Sequence, residues 1–424
     1  MINSKIQGLL KTIGPGILFA GAAIGGSHLI QSTRAGANYG FDLLIIVILV
    51  NLFKYPFFEF GHRYAHATGK NLIDGYRQIG LWAVSLFFVI LAVLNIVNVA
   101  AVCFVTASLL EYTISLLFSV VVDHDILTPV LLVAVTAVSI IGKYKALDLI
   151  VKIMIVVLSI STLAAFILAA SNGMQAIEGY QHKEILTGAG VMFIIALMGW
   201  MPSPIELSVW TSIWSNEKNA LTGYKPKWHE TMTDFHIGYV GTTVMAVLFL
   251  GLGAFVMYGQ NIEFAQSGVK FSEQLISIYG KTLGQWSAPL IAIVALVTML
   301  STSFTCMDAY PKSVDLSLKN IFKSFKSFGN KSYYIIQLIT IVSAYFIIEL
   351  FIEDMKGMLD VATVISFLAA PVFAALNFAV VCRKDFPREY RPKKWLMALS
   401  WLGIIFLSGF SILYLLTRYG VLEY

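Results

Sequence analysis

Apolar residues run along this chain in long blocks separated by short polar stretches. The block, and not a two-residue alternation, is the organising pattern. A helix of roughly 18–25 apolar residues crosses a bilayer. Eleven such segments can be placed, near 13–35, 41–62, 81–109, 126–142, 146–170, 188–214, 235–258, 283–306, 332–352, 358–382 and 395–417, the fourth being short. The longest polar connection, about 215–234, reads as a loop, so no soluble domain is expected and 1–424 is one transmembrane domain.

Two of the eleven segments are interrupted. "AGAAIGGSHLIQSTRAGANYG" (20–40) carries Gly25-Gly26-Ser27 near the middle of the first. "ALMGWMPSPIELSVW" (196–210) places Gly199, Pro202 and Pro204 in the sixth, where proline removes a backbone donor and clashes with the preceding turn. Non-helical backbone at membrane depth is tolerated only when buried in protein or lining a polar cavity. Breaks five segments apart point to two inverted five-helix repeats, about 13–170 and 188–382, with a midplane site between them and an extra helix at about 395–417. The expected fold is therefore an all-α polytopic membrane protein of eleven transmembrane helices, with helices 1 and 6 broken.

Composition agrees. Of 424 residues, 58% are apolar and 12% charged, with mean hydropathy +0.78; soluble domains carry about 45–50% and about 25%. The net charge of +5 does not indicate nucleic acid, because the basic residues follow the loops. Cys103, Cys306 and Cys382 show no metal-ligand spacing, and no disulfide framework is expected. Lys5 and Lys11 precede the first apolar block without a small-residue cleavage site, so it reads as a retained span. Of 29 Lys and Arg, 21 fall in one alternate set of connections and six in the other, with Lys54 and Lys152 inside spans. The positive-inside rule then puts the N-terminus in the cytoplasm and the C-terminus outside, in the cytoplasmic membrane.

The polar residues around the breaks carry the candidate chemistry. On a helix resuming after Ser27, His28, Gln31 and Ser32 share one face at i, i+3 and i+4. Met201, Ser203 and Glu206 follow the second break. Half-helix ends expose carbonyls for cations and N–H groups for anions. Thioether, imidazole and carboxylate together suit a transition-type divalent ion, whereas oxygen alone suits magnesium. An intramembrane carboxylate such as Glu206 is costly and functional by default. If Glu206 points away from the break, a hydrated ion such as magnesium becomes the better metal. Lys54 must snorkel, pair or lose its proton; as a fixed positive charge it would replace a proton or sodium by offsetting a carboxylate. His28, near the midplane, is the expected proton-coupling group, with Glu206. Glu59–Arg63 should anchor the cytoplasmic end and Asp148–Lys152 should pair on a helix surface, with Asp308 a gate or a cap and His62 and His66 incidental. No nucleophile triad, phosphate loop or nucleotide motif is present, so no enzyme activity and no cofactor are expected.

"GPG" (14–16), "AGANYG" (35–40), "RYAHATGKNL" (63–72), "GKYKALDLI" (142–150), Met201-Pro202, "STSFT" (301–305) and "APVFAAL" (370–376) resemble the Nramp divalent-metal transporters in consistent order. The resemblance implies a LeuT-like inverted-repeat transporter working by alternating access. It also exposes departures. Gly25, Gly26, Ser27 and His28 stand where the family carries Asp-Pro-Gly-Asn, Ser203 and Ser208 where it carries histidines, and Thr363 where it carries a glutamine. The third span offers only Asn95 and Asn98 in place of acids. The expected substrate site is Ala22, Gly25, Ser27, His28, Met198, Met201, Ser203, Glu206 and Thr363, with His28, Gln31, Lys54 and Glu206 coupling or gating. The leading expectation is a secondary transporter of a divalent cation of the manganese, iron or magnesium class, a monomer whose only partners are its ion or small-molecule substrate and the bilayer, not nucleic acid. Two alternatives stand beside it: a transporter of a small organic solute or anion, held by N–H groups of Gly25-Gly26-Ser27 with Arg34 nearby, and a non-transporting sensor.

Overall fold

Each apolar block folds as helix because a bilayer core holds no water to take up backbone N–H and C=O groups. The computed structural model describes residues 8, 11–141, 144–174, 176–177, 180–260 and 263–421, without side chains at 141, 144–152 and 154. The side chains of the expected Asp148–Lys152 pair and of Lys145, and all of Lys5 and Lys143, fall outside what is described.

The first crossing is α1 (Pro15–Ala23), a π-wound segment Gly26–Ser32, and α2 (Thr33–Tyr39). Next come α3 (Leu44–Thr68), a short α4 (Leu72–Ile79), α5 (Leu81–Phe118), α6 (His124–Ile141) and α7 (Tyr144–Asn172). The sixth crossing is α8 (Gly188–Trp200) and α9 (Leu207–Thr222). Then follow α10 (Trp228–Val256), α11 (Gly268–Leu283), α12 (Ser287–Ile321), α13 (Lys331–Leu350), α14 (Met355–Val381) and α15 (Lys394–Arg418). Among the described residues, eight helices are long and apolar enough to cross a membrane by themselves. With α6 and the two interrupted helices, the eleven segments appear in the expected order.

Boundaries differ from the sequence reading. The stretch 215–234 is mostly helix, since α9 runs to Thr222 and α10 begins at Trp228. Helices α5 and α12 extend to Phe118 and Ile321, well beyond their apolar blocks. Two short amphipathic helices, α4 and α11, lie in segments that read as connections, because counting apolar blocks passes over helices with one polar face. A local signal for α4 existed: Asn71 and Asp74 form a capping box, the Asp74 N–H donating to Asn71 Oδ1 at 3.1 Å.

Helices α5 and α12 form the centre of the bundle, while α13 and α15 lie at its rim. Leu338, Ile339, Val342 and Phe346 on α13, and Trp401, Ile405 and Ile412 on α15, are exposed and apolar, as a lipid-facing surface requires.

The first crossing packs backbone to backbone on α10. A Cβ at Gly36 would lie 1.8 Å from the Leu250 carbonyl oxygen, and one at Gly253 2.2 Å from that of Thr33. Only glycine permits this approach, the usual close packing of membrane helices. Helix α10 also caps α1: Asp234 accepts from the N–H groups of Gly14 and Gly16 at 2.9 and 2.7 Å, leaving Pro15, which has no donor, between them. The first break is thus gripped on both sides.

Candidate functional site

Helix α1 ends at Ala23, and Ile24 and Gly25 leave helical geometry at φ −77°, ψ 48° and φ −118°, ψ −119°. The chain then rewinds with π geometry over Gly26–Ser32. At the second break, α8 ends at Trp200 and α9 begins at Leu207. The Ser27 hydroxyl lies 3.2 Å from the Pro202 carbonyl oxygen, so the two breaks touch.

Between them is a cavity of about 30 Å³, the space of roughly one water molecule or one ion. Its wall includes Ala22, Ser27, Asn98, Trp200, Ser203 and Tyr310, with Thr302 and Cys306 from α12. Ala22, Ser27 and Ser203 of the expected site therefore line it. Glu206 lies directly behind: its Oε1 accepts from Tyr310 at 2.8 Å and more distantly from Asn98 at 3.5 Å, while Oε2 is buried with no partner. Asn98 also donates to Tyr310 at 2.6 Å and to Ser366 at 3.1 Å, and Trp200 Nε1 donates to Ser366 at 3.2 Å. This polar ring ties α5, α8, α9, α12 and α14 around the cavity.

The other expected residues go elsewhere. His28 is fully buried but turned toward α10. Its Nε2 lies 2.8 Å from the Thr242 carbonyl oxygen, and its Nδ1 lies 2.6 Å from the Ser27 hydroxyl and 2.8 Å from the Ala23 carbonyl oxygen. It braces the break and is absent from the cavity wall, as is Glu206, so the expected meeting of His28 with Glu206 in one pocket does not occur. Of the expected common face of His28, Gln31 and Ser32, the π winding over Gly26–Ser32 keeps His28 and Ser32 close in rotation and carries Gln31 round the helix. Gln31 instead accepts from Arg34 at 2.9 Å, and Ser32 donates to the Ser27 carbonyl at 3.4 Å. Gly25 abuts Thr302, and Met201 is buried outside the cavity wall. The Thr363 hydroxyl donates back to Leu359 and Asp360 of its own helix.

Lys54, fully buried on α3, reaches the second break. Its ammonium donates to the carbonyls of Met198 at 2.7 Å, Gly199 at 3.1 Å and Ser203 at 3.3 Å. Met198 therefore contributes its backbone oxygen, and that oxygen is taken by an internal cation. Among the described residues no three His, Cys, Asp or Glu side chains gather where they could hold a metal ion.

Access is asymmetric. On the face bearing the α7–α8 connection a vestibule of about 890 Å³ is lined by Arg34, Lys183, Lys356, Arg418, Glu184 and Asp360, among apolar residues including Phe193. On the face bearing the N-terminus the corresponding cavity, beside His62, His66, Lys218 and Asp234, holds about 20 Å³. Glu59 and Arg63 pair there, with Arg63 stacked on Trp228 at 4.8 Å. Asp308 accepts from Tyr333 at 2.7 Å and pairs with Lys312, which also reaches Glu217 on α9 at 2.9 Å.

The Nramp family model, natural resistance-associated macrophage protein-like, matches residues 16–417. The chain belongs to the Nramp family. It is 37% identical to the uncharacterized protein PM0681 of Pasteurella multocida over 97% of this chain and 93% of that one. It is 22% identical to the divalent metal cation transporter MntH of Staphylococcus aureus, over 99% of this chain and 94% of that one. The solved manganese transporter of Eremococcus coleocola, in complex with an aromatic bis-isothiourea compound, has a similar fold: TM-score 0.70 and 14% identity, covering 96% of this chain and 86% of that one. The fold of this Nramp protein is LeuT-like, as expected.

The polar ring was only partly visible in the sequence. Asn98 stood out as polar inside a span, but Ser366 sits in an apolar run, Tyr310 lies in the polar stretch past the eighth block, and Trp200 lies at the break with no mark of its role. Asn377 is similar: it donates to Ser208 at 2.7 Å and to the Phe57 carbonyl at 3.1 Å, and accepts from Tyr76, sealing the bundle below the cavity.

Proposed function

We propose that this Nramp-family protein is a secondary transporter that moves a divalent metal cation across the cytoplasmic membrane by alternating access. The observation that carries the reading is the cavity of about 30 Å³ where the two broken helices meet. It has room for a single dehydrated ion, and Glu206 stands behind its wall. A dication bound by hydroxyls and carbonyls needs negative charge nearby, and Glu206, with one oxygen unpartnered, supplies it. Relatives named as divalent cation and manganese transporters support the same cargo class. The distribution of Lys and Arg supports a cytoplasmic N-terminus, which makes the large vestibule the outer one. Both breaks belong to one chain, so a monomer of one domain with two repeats suffices.

Thermal melting of detergent-purified protein with manganese, iron(II) and magnesium, repeated with Glu206→Gln, tests this. The expected result is stabilisation of the wild type and at least a tenfold weaker response in the variant. No response of the wild type to any of the three overturns the reading.

A small organic anion is the second reading. It is favoured by the Lys54 ammonium beside the cavity and by the basic residues of the vestibule. Stabilisation by a panel of short carboxylates, with no response to the metals, would select it.

A further inference from the structure

We propose that the Lys54 ammonium is a tethered cation, occupying a carbonyl cradle at the second break where a free monovalent cation would otherwise bind. A helix C-terminus leaves carbonyls without intrahelical partners and carries the negative end of the dipole. At membrane depth those oxygens need a donor or a cation. Met198 and Gly199 offer theirs from the last turn of α8, and Ser203 offers its own from beyond the break. Three acceptors meet three ammonium N–H groups, which satisfies every donor of the lysine.

The cradle is rigid. Gly199 lies so close to α14 that a Cβ would stand 1.9 Å from the Thr363 carbonyl oxygen, so the end of α8 is packed directly on that backbone. Nor can Lys54 leave by snorkelling. It lies ten residues from the start of α3 and fourteen from its end, roughly 15 and 21 Å at the helical rise, beyond the reach of a lysine side chain. Glu206, three residues beyond Ser203 in the chain, is the carboxylate of the same break and is itself fully buried. Half-helix carbonyls hold free coupling cations in other transporters. Here the cation is part of the chain and cannot dissociate, so this position imposes no requirement for a dissociable ion.

The test uses purified full-length protein without cargo, which separates its outcome from the identity of the cargo. Melting is followed in choline chloride and, at matched ionic strength, in lithium, sodium, potassium and methylammonium chloride. The wild type should melt at one temperature in all five. Lys54→Ala should melt lower in choline and recover saturably with sodium or methylammonium, which can enter the vacated cradle. Lys54→Met, which fills the space without a charge, should melt lower and not recover. A wild type stabilised by sodium or potassium overturns the proposal, as does a Lys54→Ala protein that none of the cations rescues. Should Lys54→Ala not fold, the wild-type series and Lys54→Met decide: a Lys54→Met protein as stable as wild type also overturns it.

Discussion

Arg34 and Asp360 form a two-pronged ion pair in the wall of the large vestibule, Nη1 to Oδ1 at 2.8 Å and Nη2 to Oδ2 at 3.2 Å. The pair joins α2 to α14, and Phe193 of α8 stacks on the guanidinium at 5.4 Å. It therefore ties the second half of the first broken helix to the opposite wall. Arg34 is 2% exposed and Asp360 38%, so removing the carboxylate leaves a buried charge without its partner. Asp360→Asn should lower stability by about 1–3 kcal/mol. It should also speed labelling of Cys306, in the cavity wall, by a thiol reagent added from outside. Unchanged labelling in a background lacking Cys103 and Cys382 would mean that the pair does not close the path.

Tyr310→Phe removes the short hydrogen bond to Glu206 and leaves that carboxylate only the 3.5 Å contact from Asn98. A buried acceptor that loses a partner costs about 1–3 kcal/mol. The variant should melt lower while retaining a metal response, in contrast to Glu206→Gln. Loss of the response in both variants would make the tyrosine hydroxyl a ligand itself.

His28→Ala should act on stability alone. The ring bridges Ser27 to the Thr242 carbonyl, and its loss leaves a cavity and at least one buried acceptor unserved, at a cost of about 2–4 kcal/mol. Cargo affinity should stay within about threefold of wild type, and the pH profile of uptake in proteoliposomes should keep its shape. A flattened profile would restore His28 as the coupling group.

Gly36→Ala should be among the most damaging single-methyl additions, because the new Cβ would fall 1.8 Å from the Leu250 carbonyl oxygen. Overpacking of this kind costs about 1–3 kcal/mol or more. Gly241→Ala on the same α10 interface helix is the control, since nothing lies within 4 Å of the added atom. It should melt at or slightly above wild type, alanine being the better helix former by about 1 kcal/mol.

Chain order, broken helices and lipid-facing blocks were legible in the sequence, because a hydrocarbon environment leaves the backbone almost no choice but helix. The amphipathic α4 and α11 were not, since half their surface is polar and their burial comes from tertiary packing. Of the residues singled out by type and position, Ser27 and Ser203 lie in the cavity wall and the buried Glu206 lies beside it. The partners of Lys54 were not legible, because three backbone carbonyls 144 to 149 residues away leave no mark on side-chain chemistry. The direction of His28 was not legible either, because the carbonyl its ring faces, that of Thr242, lies 214 residues away.

The amino-acid sequence by itself determined where the chain crosses the bilayer and where two crossings must break, since both follow from apolar length and from the backbone chemistry of glycine and proline. Only the tertiary structure decided what the breaks hold. Which orphaned carbonyl receives which donor depends on the rotation of each half-helix and on neighbours brought in from remote parts of the chain. That packing set Lys54 in the second break, turned His28 to α10 and left Glu206 behind the cavity.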